Sequence, residues 1–330
     1  MEPFAYRRAD TADAAVRLAG APRAAFLAGG TTLIDLMKTG AMAPETLVDI
    51  NDLQLQHGAI RAEPDGLELG ALVSMSGAAA HPAVRHDYPV IAQSLDLAAS
   101  QQLRNMASLG GNVLQRTRCR YFRDPSWRHC NKREPGSGCA ALAGVNRLHA
   151  VLGVSDSCIA SYPGDFGQAL AALDATVEIV GPSGRRVIPF LQLHRSPGDA
   201  PHIETTLAPG ELITGFHVPA AAWTRRSVYV KVRDRQSYEF ALASAAVALE
   251  LEAGAAKTVR IALGGVSTRP WRAHEAEAAL TGRPIDARTA GLAAEAAFSG
   301  AVGHGMNDFK PELGRRTLVR ALLEAARMEV

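Results

Sequence analysis

All four cysteines of this chain fall between Cys119 and Cys158, and the rest of the 330 residues contain none. Thiols that serve only as small core residues scatter along a chain, so this clustering favours a shared metal site or local disulfides. The surrounding residues 114–164 are basic, rich in Cys, Gly and Pro, and weakly periodic. We therefore predict a loop-like insertion over 114–164 in an otherwise regular fold.

The cysteine spacing alone leaves three kinds of site open. The four thiols are those of Cys119, Cys130, Cys139 and Cys158, without the CxxC pairs that zinc ribbons usually carry. Four thiolates are also the usual complement of one [4Fe–4S] centre. Zinc, an iron–sulfur cluster and disulfides all remain candidates at this point. We expect His129 to be a surface residue rather than a ligand.

Regular structure is expected on both sides of the insertion. Short strand-like and helix-like segments alternate at first, as in α/β units, and Pro82 to Ser100 is predicted to form one long helix. Ala175 to Pro189 is predicted to be a hairpin that turns at Gly181-Pro-Ser-Gly184. After a linker at 220–224, three strands precede three alanine-rich helices, which is typical of an α+β domain. The predicted fold class is α+β, with domains at 1–221 and 225–330.

Charge and motif patterns exclude several classes of protein. The 35 basic and 33 acidic residues give a net charge of +2, so no global field attracts nucleic acid or an anionic membrane. No apolar run reaches the roughly 18 residues of a membrane span, and the N-terminal residues lack the apolar core of an export signal. Without an HExxH or GxSxG motif, a self-contained hydrolase is not expected.

Two glycine-rich turns carry the clearest binding signal. Gly29-Gly30-Thr31-Thr32 follows a predicted strand and precedes a helix, and Ser108-Leu-Gly-Gly-Asn112 has the same ingredients. Glycine permits close backbone approach, so successive amides can converge on phosphate oxygens. Neither turn is a GxGxxG or Walker motif. Either could be an ordinary tight turn, but the pair suits a dinucleotide whose pyrophosphate needs neutral donors.

These motifs resemble the FAD-binding subunits of the molybdenum hydroxylases, a family that includes xanthine dehydrogenase, aldehyde oxidoreductases, carbon monoxide dehydrogenase and 4-hydroxybenzoyl-CoA reductase. The resemblance implies a two-part α/β FAD-binding domain of the PCMH type, followed by a small α+β domain of the CO dehydrogenase flavoprotein type. It spans nearly the whole chain and rests on residues 27–38, 107–113, 163–166, 210–219, 229–232 and 264–266.

The resemblance also implies which residues bind FAD. Asp165 would hold a ribose hydroxyl, Ile213 would pack near the flavin, and Lys231 would place its ammonium near the ring. On the residues alone, these are instead a helix N-cap, a core residue and an exposed strand lysine. Thr32 departs from the family, which more often has Asp or Asn there. The full implied set is Phe26, Leu27, Ala28, Gly29, Gly30, Thr31, Thr32, Leu33, Ser108, Gly110, Gly111, Asn112, Asp165, Ile213 and Lys231.

The insertion makes the chain resemble particular members of the family more than others. Most members join the positions of Asn112 and Asp165 directly, whereas the FAD subunit of periplasmic aldehyde oxidoreductase has an insert with an extra [4Fe–4S] cluster, as does the reductase for 4-hydroxybenzoyl-CoA. The resemblance therefore implies that the four cysteines bind one [4Fe–4S] cluster. The basic run at 116–133 is then either a solvated face or a surface that offsets the cluster or docks a partner.

The implied function is electron transfer within a heterotrimeric, molybdenum-dependent aldehyde oxidoreductase, with no catalytic residue in this chain. The partners would be a small [2Fe–2S] subunit and a large molybdopterin-binding subunit, with electrons leaving through FAD to an external acceptor. The alternatives are a stand-alone FAD oxidoreductase, a zinc-stabilised binding module, or the FAD subunit of a 4-hydroxybenzoyl-CoA reductase-like or xanthine dehydrogenase-like enzyme. We expect a periplasmic complex co-exported with a twin-arginine partner, or a cytoplasmic one without such a partner.

Overall fold

The first part of the chain forms a three-stranded parallel sheet in the computed structural model, which describes all 330 residues. The elements of this part are β1 (Ala5–Arg8), α1 (Ala12–Ala19), β2 (Ala24–Leu27), α2 (Leu33–Thr39), β3 (Thr46–Asp49) and α3 (Gln54–His57). The strand order is β1-β3-β2. Helices α1 and α2 supply the crossovers that parallel strands require.

A five-stranded antiparallel sheet forms the second part of the first domain, in the order β4-β5-β8-β6-β7. The predicted hairpin is confirmed, with Gly181 paired to Gly184 across its turn. The elements are β4 (Ile60–Glu63), β5 (Gly66–Gly70), α4 (Met75–Ala80), α5 (Pro82–Asp87), α6 (Pro89–Asp96), α7 (Gln101–Met106), α8 (Leu109–Val113), α9 (Arg120–Arg123), α10 (Phe166–Ala172), β6 (Thr176–Gly181), β7 (Gly184–Pro189) and β8 (Leu212–Pro219).

The single helix predicted over residues 82–100 is wrong. Two helices occupy this segment, because Tyr88 leaves the helical conformation at φ −137° immediately before Pro89. The proline ring disfavours helical geometry at the preceding residue, and proline itself is well suited to begin the next helix.

The second domain is a four-stranded antiparallel sheet followed by helices, which confirms the predicted α+β class. Its strand order is β12-β11-β10-β9. The elements are β9 (Ser227–Val232), β10 (Ala243–Glu252), β11 (Ala255–Gly264), β12 (Trp271–Arg272), α11 (His274–Leu280), α12 (Ala287–Ala297) and α13 (Lys310–Ala326).

Both faces of this second sheet are buried, and β10 shows why. Val247 and Leu249 belong to the core that includes α12 and α13. The intervening Ala246 and Ala248 belong to a different core, shared with α6 and α10 of the first domain. Successive strand residues point to opposite faces, so β10 joins the two domains through one apolar strand.

The insertion at 114–164 contains one short helix, α9, and otherwise turns and isolated bridges, as its weak periodicity predicted. Its chain is tied internally: Asn131 and Gly138 exchange hydrogen bonds, and the Arg133 guanidinium donates to the Tyr121 and Phe122 carbonyls. No helix in the chain is both long and apolar enough to cross a membrane.

Two helix glycines give a matched test of packing in the second domain. A β-carbon on Gly314 would lie 2.2 Å from the buried Phe298 ring, whereas one on Gly291 would meet nothing within 4 Å. Gly314→Ala should lower the free energy of unfolding by about 1–3 kcal/mol through overpacking. Gly291→Ala should stabilise by up to about 1 kcal/mol through helix propensity. Urea unfolding measures the free energy of unfolding of both variants. Equal effects of the two substitutions would contradict the close packing of Phe298 against Gly314.

Candidate cofactor sites

An elongated cleft of about 2040 Å³, including its open mouth, runs between the two glycine turns. About 590 Å³ of this space is cavity proper, within the range of roughly 300–1,000 Å³ that is typical of ligand and cofactor pockets. Leu27 and Lys231 do not line it. The predicted residues that do are Phe26, Ala28, Gly29, Gly30, Thr31, Thr32, Leu33, Ser108, Gly110, Gly111, Asn112, Asp165 and Ile213.

The first turn presents unused backbone donors to the cleft. Gly30 adopts a φ of +69°, which favours glycine. The backbone amides of residues 29–33 donate to no backbone acceptor in the chain, and the Thr32 side chain does not cap α2. A run of free amides in a turn is an anion-binding arrangement, so this turn is suited to the FAD pyrophosphate.

The second turn differs from the expectation that both turns offer amides. The Leu109 amide donates to the Val73 carbonyl at 2.9 Å and the Gly110 amide to the Ala71 carbonyl at 2.8 Å. The Gly111 amide donates to Ser108 Oγ at 3.1 Å. The amides of Leu109, Gly110 and Gly111 are therefore already satisfied by the chain, and the two glycines serve close packing instead.

Asn112 supplies what the second turn does offer. Its side chain is buried, with Nδ2 bonded to Met75 Sδ at 3.3 Å and Oδ1 without a partner. A buried polar atom without a partner is costly. The Oδ1 atom lies on a residue that lines the cleft, so it is available to a hydroxyl or N–H donor of the cofactor.

Close backbone contact brings the two turns together. A β-carbon on Gly29 would lie 1.8 Å from the Met106 carbonyl oxygen, and Met106 is two residues before Ser108. Only glycine allows the chains to approach this closely. The cleft between the turns therefore depends on the absence of a side chain at Gly29.

Asp165 is held by the second domain and not by its own helix. Its carboxylate accepts hydrogen bonds from Tyr229 Oη at 2.7 Å and Lys231 Nζ at 2.8 Å, and it makes no helix-cap bond. The Asp165 and Lys231 side chains are only 4% and 1% exposed. Burial and the Asp165 charge raise the pKa of Tyr229 far above its usual value, which keeps its proton on Oη.

The ammonium of Lys231 is therefore not placed at the cleft, where the sequence analysis expected it. It donates to Asp165 and to the Leu97 carbonyl at 3.1 Å. Since Asp165 lines the cleft, any effect of Lys231 on a cofactor passes through that carboxylate. The exposed-lysine interpretation is wrong as well, because the side chain is almost fully buried.

Sequence reasoning missed several walls of the cleft. Some come from the segment between α6 and α7, some from the insertion and some from the loop after β9. Arg116 and Arg118 lie within the basic run at 116–133, whose pattern does not indicate which side chains point into the cleft. The lining residues that the sequence did not indicate include Ala98, Ala99, Leu103, Arg116, Arg118, Arg235, Tyr238 and Phe240.

The four cysteines line one second, small pocket inside the insertion. All four are free thiols. Cys130 and Cys139 face each other on an antiparallel bridge. His129 also lines this pocket, but it is exposed to solvent as a whole. Its Nδ1 atom lies 2.6 Å from the Ser137 carbonyl oxygen. Cysteines far apart in sequence therefore converge on one small space.

A buried histidine contacts this set of thiols. His149 Nε2 lies 3.1 Å from Cys119 Sγ, while Nδ1 is buried without a partner. Burial, reinforced by Lys310, lowers the pKa of His149 to about 4, so the ring is neutral at neutral pH. Since Nδ1 has no acceptor, the tautomer with its proton on Nε2, facing sulfur, is the one that leaves no ring donor unpaired.

Burial also raises the pKa of Cys119 to about 12 and that of Cys158 to about 11. These two thiols stay protonated in the metal-free chain, and a metal must displace their protons to bind. No group of three or more His, Cys, Asp or Glu side chains is arranged as a site for a metal ion. The thiols thus share a pocket without closing around one ion.

Most of the basic run forms internal contacts. Glu204 pairs with Arg116 at 3.0 Å and Lys132 at 2.7 Å. Asp35 pairs with both Arg118 and Arg123. Among the insertion arginines, Arg120 and Arg128 are exposed. The run is therefore mainly a set of ties between the insertion and the first domain, which neither sequence interpretation anticipated.

Two family profiles match almost the whole chain. The FAD binding domain in molybdopterin dehydrogenase matches residues 2–221, and the CO dehydrogenase flavoprotein C-terminal domain matches residues 228–325. The chain therefore belongs to the FAD-binding subunits of the molybdenum hydroxylases. It is an oxidoreductase subunit that carries the flavin site of its enzyme.

Relatives of known function agree with this assignment. The chain is 45% identical over 98% of its length to the aldehyde oxidoreductase FAD-binding subunit PaoB of Escherichia coli K12, of which it covers 99%. It is 26% identical, over 91% of this chain and 88% of the relative, to the carbon monoxide dehydrogenase medium chain of Afipia carboxidovorans. The structure of reconstituted CO dehydrogenase from Oligotropha carboxidovorans superposes with a TM-score of 0.77 at 25% identity, covering 99% of both chains.

The contact between the turns can be tested with alanine at two glycines. Gly29→Ala should abolish FAD retention, because its β-carbon would collide with the Met106 carbonyl, a backbone atom. Gly300→Ala is the control, since a β-carbon there meets nothing within 4 Å. FAD released by acid and measured by absorbance gives the content. Full flavin content in Gly29→Ala would show that FAD binding does not depend on this contact.

The buried ion pair can be tested with a double-mutant cycle. Asp165→Asn should destabilise the chain by about 3–5 kcal/mol, because it leaves the Lys231 charge buried and unpaired. Adding Lys231→Met should restore much of that loss, since both charges are then gone. Thermal unfolding and FAD affinity are measured for the wild type, the two single variants and the double variant. Additive losses would show that the two residues act independently.

Proposed function

We propose that this chain is the FAD- and [4Fe–4S]-binding electron-transfer subunit of a heterotrimeric, molybdenum-dependent aldehyde oxidoreductase. The observation that carries the proposal is the convergence of Cys119, Cys130, Cys139 and Cys158 on one pocket. The identity of 45% to an aldehyde oxidoreductase FAD-binding subunit supports the substrate class. Aldehyde oxidation would take place in a partner, and its electrons would leave through this chain to an external acceptor.

The spacing of the thiols supports an iron–sulfur cluster over zinc. Ligands of a single tetrahedral zinc close tightly, with Zn–S bonds of about 2.3 Å, and no such closed group is present. Four irons and four sulfides occupy more space, so their thiolates stand further apart. The thiols line one pocket and form no disulfide, so all four are free to bind one cluster.

The surroundings of the pocket suit an anionic metal cluster. His149 Nε2 is directed at Cys119 Sγ, and the Ala160 amide donates to Cys158 Sγ at 3.5 Å. Donors to sulfur stabilise thiolate charge and tune such centres. Lys132 adds a positive charge near Cys158 that opposes the effect of burial on the pKa of its thiol. Bound there, the cluster would supply one-electron transfer.

The chain's own residues then perform three tasks at the cleft. The free amides of residues 29–33 hold the pyrophosphate, Asn112 Oδ1 accepts from the cofactor, and Asp165 offers a carboxylate fixed by Tyr229 and Lys231. Ile213 and other apolar side chains line the same cleft. Bound FAD would supply exchange between two-electron and one-electron carriers.

We infer that the partners are a small [2Fe–2S] subunit and a large molybdopterin-binding subunit. Relatives named as medium chains of carbon monoxide dehydrogenase and glyceraldehyde dehydrogenase support a division of labour among subunits. We also propose export of the folded complex to the periplasm with a twin-arginine partner, and a cytoplasmic location where the partner lacks that signal. Fractionation of cells that express all three subunits tests the location.

The cluster is tested by metal analysis of the full chain. The wild-type subunit should contain about four irons and four sulfides per chain, and Cys→Ser at any of the four positions should remove them. Electron paramagnetic resonance after dithionite reduction checks the cluster type. His129→Ala is the matched control, because His129 lines the same pocket without a thiol and should leave iron unchanged.

Three other results would contradict the proposal. Stoichiometric zinc would indicate a structural metal site. Thiols that react only after reduction would indicate disulfides. Flavin without iron would favour a stand-alone FAD oxidoreductase. Iron should be measured on the isolated subunit, so that the [2Fe–2S] centres of the small partner do not contribute.

A further inference from the structure

The insertion reaches out of its own pocket and into the FAD cleft. Arg118 and Arg120 flank Cys119 in the sequence, but they point to different places. Arg118 lines the FAD cleft, whereas Arg120 is exposed at the surface. One peptide bond therefore separates a cysteine of the thiol pocket from a cation of the flavin site.

Two parts of the molecule hold Arg118 in place. Its Nη1 atom lies 3.4 Å from Asp35 Oδ2, in the helix that directly follows the first glycine turn. Its guanidinium carbon lies 4.9 Å from the centre of the Phe240 ring, in the second domain. Cation–π contact and ion pairing both orient a planar guanidinium. Arg118 is thus a fixed feature of the cleft.

The positive charge at this place is not fully balanced by the chain. Asp35 is shared with Arg123, so two guanidiniums face one carboxylate. Arg118 Nε is buried without an acceptor. A desolvated cation of this kind is stabilised by an anion that arrives with a ligand.

We propose that the insertion completes the FAD site: Arg118 binds an anionic group of FAD, so FAD retention depends on the folded, metal-loaded insertion. The anion is either the pyrophosphate or the reduced flavin ring, both of which suit a guanidinium. The dependence on metal rests on the proposed cluster, whereas the role of Arg118 rests on the FAD cleft alone.

The role of Arg118 is tested by matched variants of the full chain. Arg118→Gln should weaken FAD binding by about 10- to 100-fold, the loss of one charge-assisted hydrogen bond. Arg120→Gln removes the same charge on the other side of Cys119 and should leave FAD affinity unchanged. Iron content should be normal in both, which shows that the insertion is folded.

Affinity is measured by flavin fluorescence for oxidised FAD, and by equilibrium dialysis under dithionite for the reduced form. Equal losses in the two states assign the pyrophosphate as the partner of Arg118, and a loss only in the reduced state assigns the flavin ring. If Arg118→Gln retains FAD as tightly as Arg120→Gln in both states, the inference is overturned.

The dependence on metal is tested at Cys139, which is distant from Arg118 in the sequence. Cys139→Ser should lose iron and also lower FAD retention, although Cys139 lines the thiol pocket and not the cleft. Normal FAD affinity in an iron-free Cys139→Ser protein would overturn this part. A wild-type chain that binds FAD but contains no iron would refute the proposed cluster. The comparison of Arg118→Gln with Arg120→Gln would then still decide whether Arg118 binds FAD.

Discussion

The contact between Gly29 and the Met106 carbonyl is the constraint on which the cofactor cleft depends. It lets the end of a parallel-sheet unit lie directly against a turn from the other half of the domain. The free amides of the first turn then face a second turn in which the amides of residues 109–111 are already satisfied. The two turns differ as a result: the first presents amide donors to the cleft, and the second packs and carries the unpaired Asn112 Oδ1.

The cleft is also the place where the three parts of the chain meet. The second domain contributes Lys231 and Tyr229, which fix Asp165, and Phe240, which stacks on Arg118. The insertion contributes Arg118 itself. The shared core along β10 holds the two domains together. A flavin bound here would contact groups whose positions depend on the whole fold.

The sequence predicted the parts of this account that rest on local patterns. Glycine pairs at strand ends, an antiparallel hairpin at Gly181–Gly184 and the four cysteines were all visible as motifs. It could not predict that the second turn's amides bond to residues 71 and 73, nor that Lys231 pairs with Asp165, because these contacts join distant segments. The inward direction of Arg118 and the role of His149 were hidden for the same reason. Side-chain direction in a loop has no periodic signal.

The central claim is that one subunit places a flavin cleft beside a pocket that holds an iron–sulfur cluster. Diffraction from crystals of the loaded subunit, recorded on both sides of the iron absorption edge, tests it most directly. The account predicts one compact anomalous peak of four irons within the pocket of Cys119, Cys130, Cys139 and Cys158, and FAD with its pyrophosphate against residues 29–33. A single-atom peak, a zinc signal, or flavin density outside the cleft would contradict it.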